Sequence, residues 1–517
     1  MIMTEIEKDN YVVAVYEFRS KQEYIYKTNR VKEIMGASEI ITNAFKDIIA
    51  AYNSEHGDCI NIDIDPNKDF SVDSFIESDY ECVVLYEGGG NLNMLFNNSE
   101  IFLSFNKFFS WWLIENAPGL TPLCGHGEFS DTELKTFTFE KVADIVFHNS
   151  LGEYKRFATP ASEANVLPIT QIDRKTTLPI TKKESSPKEE SLSEESKRKL
   201  LKFNTIVESD DDTNTSKPHK DVYAQNFDKI IYKKGIESLI AIIYIDGNAM
   251  GKRVQNYIGN DLSFEEAVGR HRKFTKEIDV AFVENPIRAI HKIVGDIKDQ
   301  DKKTTVLAMR RIVGAGDEIT IVCNARKALE IVNTYFNCLA ETNKKQNQDY
   351  SACAGIAVCH SHAPFSDVYE IAEQCCESGK TRIKERIEKG EKAEDSCYID
   401  AYFCQSAITG TLKELRKRQS ICRTRMPYCI EGGDNDRDFN NSFNRVGKSL
   451  TGLARAGVMT LRDAAFHSQS LFDLELMRIK AGLSDDRNFD VSNEDRDILF
   501  DVTTFYDLWF LEDSQYA

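Results

Sequence analysis

Leu239-Ile240-Ala241-Ile242-Ile243-Tyr244-Ile245-Asp246-Gly247-Asn248 is the stretch on which the reading of this chain turns. Its apolar run is unbroken and rich in β-branched residues, with no polar alternation. That pattern predicts a strongly apolar strand, ending in a carboxylate at Asp246. Further on, Arg311-Ile312-Val313 and Ile319-Thr320-Ile321-Val322 flank Gly314-Ala315-Gly316-Asp317-Glu318, the pattern of two strands joined by a tight glycine turn. If the two strands are neighbours, Asp246, Asp317 and Glu318 meet at one end of a sheet. Hard divalent cations such as Mg²⁺ take oxygen ligands and are usually held by one or two carboxylates plus substrate phosphates. Two such ions can serve an in-line phosphoryl displacement. Gly314, Ala315 and Gly316 are small enough to close the turn and admit a triphosphate. An isolated Gly-Asp-Glu is most often a solvent-facing hairpin tip. The upstream Ile-Asp-Gly-Asn strand end shifts the balance toward a site.

The first half of the chain repeats this plan. Tyr11 to Tyr16 reads as a strand, a helical stretch follows, and Cys82 to Tyr86 runs through Gly88-Gly89-Gly90-Asn91 into Leu92 to Phe96. The spacing from Glu17 to Gly90 nearly equals that from Asp246 to Asp317, which points to an internal duplication of one α+β unit. After the second hairpin, Tyr350 to Val358 reads as a further strand. Ser366 is expected to cap a helix with Val368, Ile371, Ala372, Cys375 and Ile383 on one face. The expected organisation is a first unit over 1–170, a second over 227–400 and a mainly helical region over 401–517. Between the units, 171–226 is rich in Lys, Glu, Ser, Thr and Asp. It reads as a disordered charged linker or insertion, with a short helix conceivable from Glu194 to Phe203.

Composition narrows the function. The 517 residues carry 83 acidic and 65 basic side chains, a net charge of −18. That argues against sequence-independent coating of nucleic acid, which needs a positive surface, and leaves local RNA or DNA contact open. No apolar run is long enough for a membrane span. No signal pattern opens the chain, so a cytoplasmic protein without membrane contact is expected. The 13 cysteines include no Cys-x-x-Cys pair and read as reduced core residues. His360-Ser361-His362 and Cys124-Gly125-His126 lack accompanying ligands at metal spacing.

Ala315-Gly316-Asp317-Glu318-Ile319 resembles the Gly-Gly-Asp-Glu-Phe signature of diguanylate cyclases. It equally resembles the Gly-Gly-Asp-Asp signature of the large polymerase-like subunit of type III CRISPR effector complexes. Ile245-Asp246-Gly247-Asn248-Ala249-Met250-Gly251 is similar to the strand end of the latter family. Lys21-Gln22-Glu23-Tyr24-Ile25-Tyr26 with Gly36-Ala37-Ser38 resembles its other palm domain, and two palms in one chain is that family's plan. The resemblance spans about residues 10 to 400. It implies an α+β fold of two ferredoxin-like palm domains and a two-metal nucleotidyltransferase. Such an enzyme would turn nucleoside triphosphates, ATP favoured, into a cyclic nucleotide or oligonucleotide messenger in antiviral defence, alongside CRISPR-like effector proteins. Asp246, Asp317 and Glu318 would be catalytic and hold Mg²⁺ or Mn²⁺. Ser38, Gly247, Asn248, Gly314, Ala315, Gly316 and Lys380 would contact nucleotide. Lys380 also reads as a solvated basic helix end, and both readings stand here. Ala315 and Asn248 depart from the family pattern. Gly90-Asn91 stands where the first unit would carry its two acids, so that unit is expected to bind no catalytic metal. The nuclease and zinc motifs frequent in the effector subunit are missing, as in a stand-alone relative. The alternatives are a non-catalytic nucleotide sensor and a scaffold subunit of a CRISPR-like complex.

Overall fold

The computed structural model describes residues 10–88, 90–157, 169–182, 191–211, 227–231, 237–259, 261–294, 296–298, 305–405, 410–418, 424–482 and 489–511. The chain forms two compact units. One comprises Met1–Lys220, Ala249–Val283 and Ala315–Asp317; the other comprises Asp221–Asn248, Glu284–Gly314 and Glu318–Ala517.

The first unit holds β1 (Tyr11–Arg19), β2 (Ile60–Asn61), β3 (Cys82–Gly88), β4 (Asn91–Phe96) and β5 (Thr121–Phe129) in the order β2-β3-β4-β1-β5. Helix α1 (Val31–His56) and helix α2 (Ser99–Asn116) belong to it. Asn98 caps α2, its side chain accepting from the Ile101 N–H and so satisfying an end donor. Tyr16, Phe105 and Phe109 are all but fully buried, and the Tyr16 ring packs 5.6 Å and 4.8 Å from the other two.

Part of the stretch expected to be disordered is folded. A small ribbon, β6 (Ile180–Lys182) with β7 (Leu192–Ser193), leads into helix α3 (Glu194–Asp211). Lys199, only 1% exposed, donates to the Tyr24 carbonyl and to Glu195, each at 2.6 Å. Glu33, equally buried, accepts from Thr28 and Ser196. Burial pulls the Lys199 pKa down and Glu195 only partly restores it. Composition misled here because it counts charged residues as solvent-seeking. A fully matched polar network can be buried, and Phe203 supplies the apolar anchor. Residues 183–190 and 212–226 of that stretch lie outside the described residues.

Two further helices of this unit, α4 (Met250–Ile258) and α5 (Phe264–Ile278), come from sequence expected in the second one. The register of β3 against β4 shifts between Val84 and Tyr86, and a bulge leaves backbone groups outside the ladder. Buried Arg272 of α5 takes up the Leu85 and Val84 carbonyls at 2.6 Å and 3.1 Å.

The second unit holds β8 (Leu239–Gly247), β9 (Asp296–Lys298), β10 (Thr305–Leu307), β11 (Met309–Ala315), β12 (Glu318–Asn324), β13 (Ala352–His360), β14 (Cys397–Phe403) and β15 (Tyr428–Glu431). Its main sheet runs β11-β12-β8-β13-β14-β15, with β9 and β10 paired separately. The block β11-β12-β8-β13 repeats β3-β4-β1-β5 of the first unit, as the duplication predicts. Helix α6 (Ala328–Gln346) follows β12, and helix α7 (Phe365–Glu388) follows β13. Val368, Ile371, Ala372, Cys375 and Ile383 of α7 are buried together as expected. Ser366 is not the cap: Pro364 holds that position and Ser366 lies in the first turn. Beyond Phe403 the chain is mainly helical, with α8 (Leu412–Arg418), α9 (Arg455–His467), α10 (Gln469–Gly482) and α11 (Arg496–Trp509). No helix among the described residues is long and apolar enough to cross a membrane. The described cysteines are unpaired and mostly buried.

Gly36 of α1 explains how closely α3 approaches. A Cβ built there would stand 1.8 Å from the Lys199 carbonyl oxygen. Ala usually gains about 1 kcal/mol over Gly inside a helix, but a backbone carbonyl cannot swing away as a side chain can. Gly36→Ala is therefore expected to lower stability, by about 1–3 kcal/mol, measured as a lower urea midpoint; a raised midpoint would contradict this packing.

Candidate active site

Strand β8 lies between β12 and β13, paired antiparallel with both. Residues Ile240 to Ile245 are buried, so the first acid of the sequence emerges at the strand end. Ile319 of β12 pairs with Ile245, which makes Glu318 and Asp246 the next residues along two adjacent strands. Burial first, then Glu318 and Asp246, hold the Tyr244 phenol well above its usual pKa. Tyr244 is thus a neutral hydroxyl beneath two carboxylates.

Lys380 of α7 forms an ion pair with Asp246 and lies 3.3 Å from the Gly247 carbonyl. Burial alone would lower its pKa, but Asp246 outweighs that and holds it above the usual value. Lys380 is therefore a charged group at the strand end and not a solvated helix terminus. A cavity of about 380 Å³ opens here, lined by Tyr244, Asp246, Glu370, Glu373, Glu377 and Lys380 among others. Sequence reasoning missed these glutamates. Their 3-4-3 spacing with Lys380 was the available signal, since it puts all of them on one face of α7. An acid-lined cavity repels a bare triphosphate and favours one that arrives with cations.

Gly247 pairs with Ala352 inside the sheet. Asn248 is only 4% exposed. Its side-chain amide donates to Ser351 Oγ at 3.2 Å and to the Ser396 carbonyl at 3.0 Å, and its N–H donates to the Ser351 carbonyl at 2.9 Å. The expected nucleotide contact is thus a buried strut between β8 and the segments around Ser351 and Ser396. Ser38 is likewise buried within α1.

Gly314 and Ala315 end β11. Gly316 has φ +64° and donates its N–H to Asp279 Oδ1 at 3.1 Å; that left-handed backbone is why glycine stands there. Within the first unit, Gly316 and Asp317 line a cavity of about 430 Å³ together with Tyr86, Asn93, Phe139, His271 and Phe274. The Tyr86 and His271 rings stack at 4.2 Å and 3°. Asn93 Nδ2 and His271 Nε2 are buried with no hydrogen-bond partner among the described residues. Burial pushes the His271 pKa down to about 4.

In the other hairpin, Glu17 pairs with Asn91, the counterpart of Asp246 beside Glu318. Lys155 neutralises Glu17 at 2.6 Å, and Lys21 donates to the Gly90 carbonyl at 3.1 Å. Asn91 thus stands where the second unit has Glu318, and Glu17, the counterpart of Asp246, is likewise paired with a lysine.

Residues 239–388 match the family model of Cas10/Cmr2, second palm domain. The fold is similar to crystal structures of a Csm1–Csm4 cassette in complex with one ATP (TM-score 0.51, 10% identity, 97% of this chain and 70% of that chain) and in complex with cA4 (0.50, 11%, 98% and 70%). It is also similar to the Csm1–Csm4 subcomplex in the type III-A CRISPR–Csm interference complex (0.51, 11%, 97% and 71%). No curated protein shows significant similarity to the chain. Residues 239–388 are thus similar to a Cas10/Cmr2 second palm domain, and the chain as a whole shares the fold of these Csm1-containing structures.

Asp246 and Glu318 fit Mg²⁺ or Mn²⁺ in donor type, being hard oxygen ligands on adjacent strand ends. Among the described residues no group of three or more His, Cys, Asp or Glu side chains is gathered to hold a metal ion. The carboxylates therefore do not form a ready-made cage.

Two outcomes follow from this geometry. Asn248→Asp buries a carboxylate in place of matched amide donors; it should cost about 1–3 kcal/mol in urea unfolding, and an unchanged midpoint would refute the strut. His271 has a folded pKa below its unfolded value of about 6.5, so acid protonates the unfolded chain first. Stability present above about pH 6.5 should be lost as pH falls toward 4, and His271→Phe should flatten that part of the melting profile.

Proposed function

We propose that this chain is a palm-type nucleotidyltransferase that joins nucleoside triphosphates, ATP favoured, into a cyclic nucleotide or oligonucleotide messenger in CRISPR-linked defence. The observation that carries the reading is the register that sets Asp246 beside Glu318 on adjacent strands, with Asp317 next in the chain. The Cas10/Cmr2 match over that segment and the ATP and cA4 complexes of its structural neighbours support the substrate class. Complexes with CRISPR effector proteins are the corresponding partner proposal.

Each transfer forms a bond between a ribose hydroxyl oxygen and an α-phosphorus, releases pyrophosphate and frees the hydroxyl proton. Asp246, Asp317 and Glu318 would hold Mg²⁺ or Mn²⁺, which when bound neutralises phosphate charge and favours the deprotonated hydroxyl. Lys380, once released from Asp246, is a mobile cation for a triphosphate. The Tyr244 hydroxyl stays neutral and can donate to a phosphate oxygen. Gly316, in the left-handed region, keeps the turn before Asp317 narrow.

A binding-only reading draws on the Lys380–Asp246 pair, which already neutralises one expected metal ligand. Chromatography and mass spectrometry of products from each triphosphate with Mg²⁺ or Mn²⁺ separate the two. Turnover is expected, reduced by at least about 100-fold in Asp317→Ala, since losing even an outer partner of a metal ligand costs 10–100-fold. Undiminished product from a folded Asp317→Ala protein would overturn the assignment, and nucleotide binding without product under either metal would favour the sensor.

A further inference from the structure

A second cavity, about 600 Å³, lies wholly within the second unit. Its walls include the end of β14 (Ala401, Tyr402, Phe403), one face of α9, and Phe500, Asp501 and Thr504 of α11. Its volume is that of a small-molecule pocket.

Helix α9 shows that this face is more than core. Val458, Leu461, Ala464 and Ala465 are buried and account for its packing. The cavity is lined by a different stripe, Arg455, Met459, Arg462 and Phe466, at spacings of 4, 3 and 4. Cations alternate with large soft side chains, a pattern that neither core packing nor a solvated face requires. Phe466 is 48% exposed, and its ring meets that of Phe500 edge-on at 4.3 Å.

The charged side chains are held by hydrogen bonds with one exception, Arg462, whose guanidinium has only a long ion pair of 3.7 Å with Asp463. Arg455 holds Asp507 through two bonds of 2.9 Å and 2.7 Å. Arg416 holds Asp400, and Glu237 is held by Arg326. Asp501 accepts from the Arg425 N–H at 2.9 Å and from Tyr428 Oη at 2.7 Å. Arg462 has no such partner. Its Nε is buried without a hydrogen bond, 3.7 Å from Asp463 Oδ1, too far for one. Its other contacts are the Met459 sulfur at 3.8 Å and the Phe466 ring at 5.8 Å. One guanidinium fork is thus left for one anionic group, with an aromatic face and a thioether beside it. Thr503 and Thr504 give their hydroxyl protons to helix carbonyls, which leaves their oxygens able to accept.

We propose that this cavity binds a nucleoside monophosphate, its phosphate on Arg462 and its base against Phe466 and Met459. A planar ring carrying a single anion matches the one unfilled fork, and the ring's N–H or ribose hydroxyl groups match the threonine acceptors. The site shares no lining residue with the candidate active site, so it stands whether or not the chain is catalytic.

The test is calorimetric titration of the full chain with AMP in EDTA, with adenosine and inorganic phosphate as separate arms. Saturable AMP binding is expected, at least tenfold weaker in Arg462→Ala and several-fold weaker in Phe466→Ala. Each half-ligand should bind much more weakly than AMP. Both side chains are substantially exposed, so these variants should melt like the parent. No AMP binding up to about 5 mM, weaker than the affinity that corresponds to about 4 kcal/mol, would overturn the proposal. So would equal AMP affinity in both variants, or adenosine binding as tightly as AMP.

Discussion

The chemistry of this chain depends on a strand that has no polar face. β8 buries both sides and pairs along both edges, because an apolar run of that length can be accommodated only inside a sheet with both faces covered. The first residue that resists burial is Asp246, and it is driven to the strand end. Antiparallel pairing with β12 then brings Glu318 alongside, since the register that buries Ile319 opposite Ile245 leaves no other neighbour. Moving β12 by one residue would invert its faces and take Glu318 out of step with Asp246.

Electrostatics then distinguishes the two copies of the duplicated unit. In one hairpin the paired positions are Glu17 and Asn91, with Lys155 and Lys21 at hand. In the other they are Asp246 and Glu318, beside an acid face of α7 and one lysine. The first arrangement is neutralised from within the protein. The second keeps excess negative charge that invites cations. Exposed ion pairs contribute about 0–1 kcal/mol; the Lys380–Asp246 pair is part-buried, and a doubly charged ion with a phosphate for Lys380 would replace both of its interactions.

Much of this was legible in the sequence. The apolar run of β8, the glycine turn and the matching hairpin near Gly90 are local patterns, and local patterns survive folding. What stayed hidden depends on partners distant in sequence. Asn248 looked like a nucleotide contact because its neighbours were read along the chain; Ser351 and Ser396 hold its amide as a strut. The helix read from Glu194 to Phe203 is present and runs on to Asp211; the stretch around it looked disordered because composition does not reveal that Lys199 and Glu195 meet each other and Tyr24. The grouping of α5 with the first unit rests on Arg272 and a bulge, and no motif marks a bulge. Ser366 looked like a cap because it precedes an apolar stripe, but the helix begins before it.

Joint binding by Asp246 and Glu318 of a divalent cation that accompanies a nucleotide is tested most directly by anomalous diffraction from crystals grown with Mn²⁺ and a non-hydrolysable ATP analogue. Manganese bound to both carboxylates is expected, with Lys380 moved from Asp246 to a phosphate oxygen. Nucleotide bound with no manganese at Asp246 and the Lys380 pair intact would contradict it.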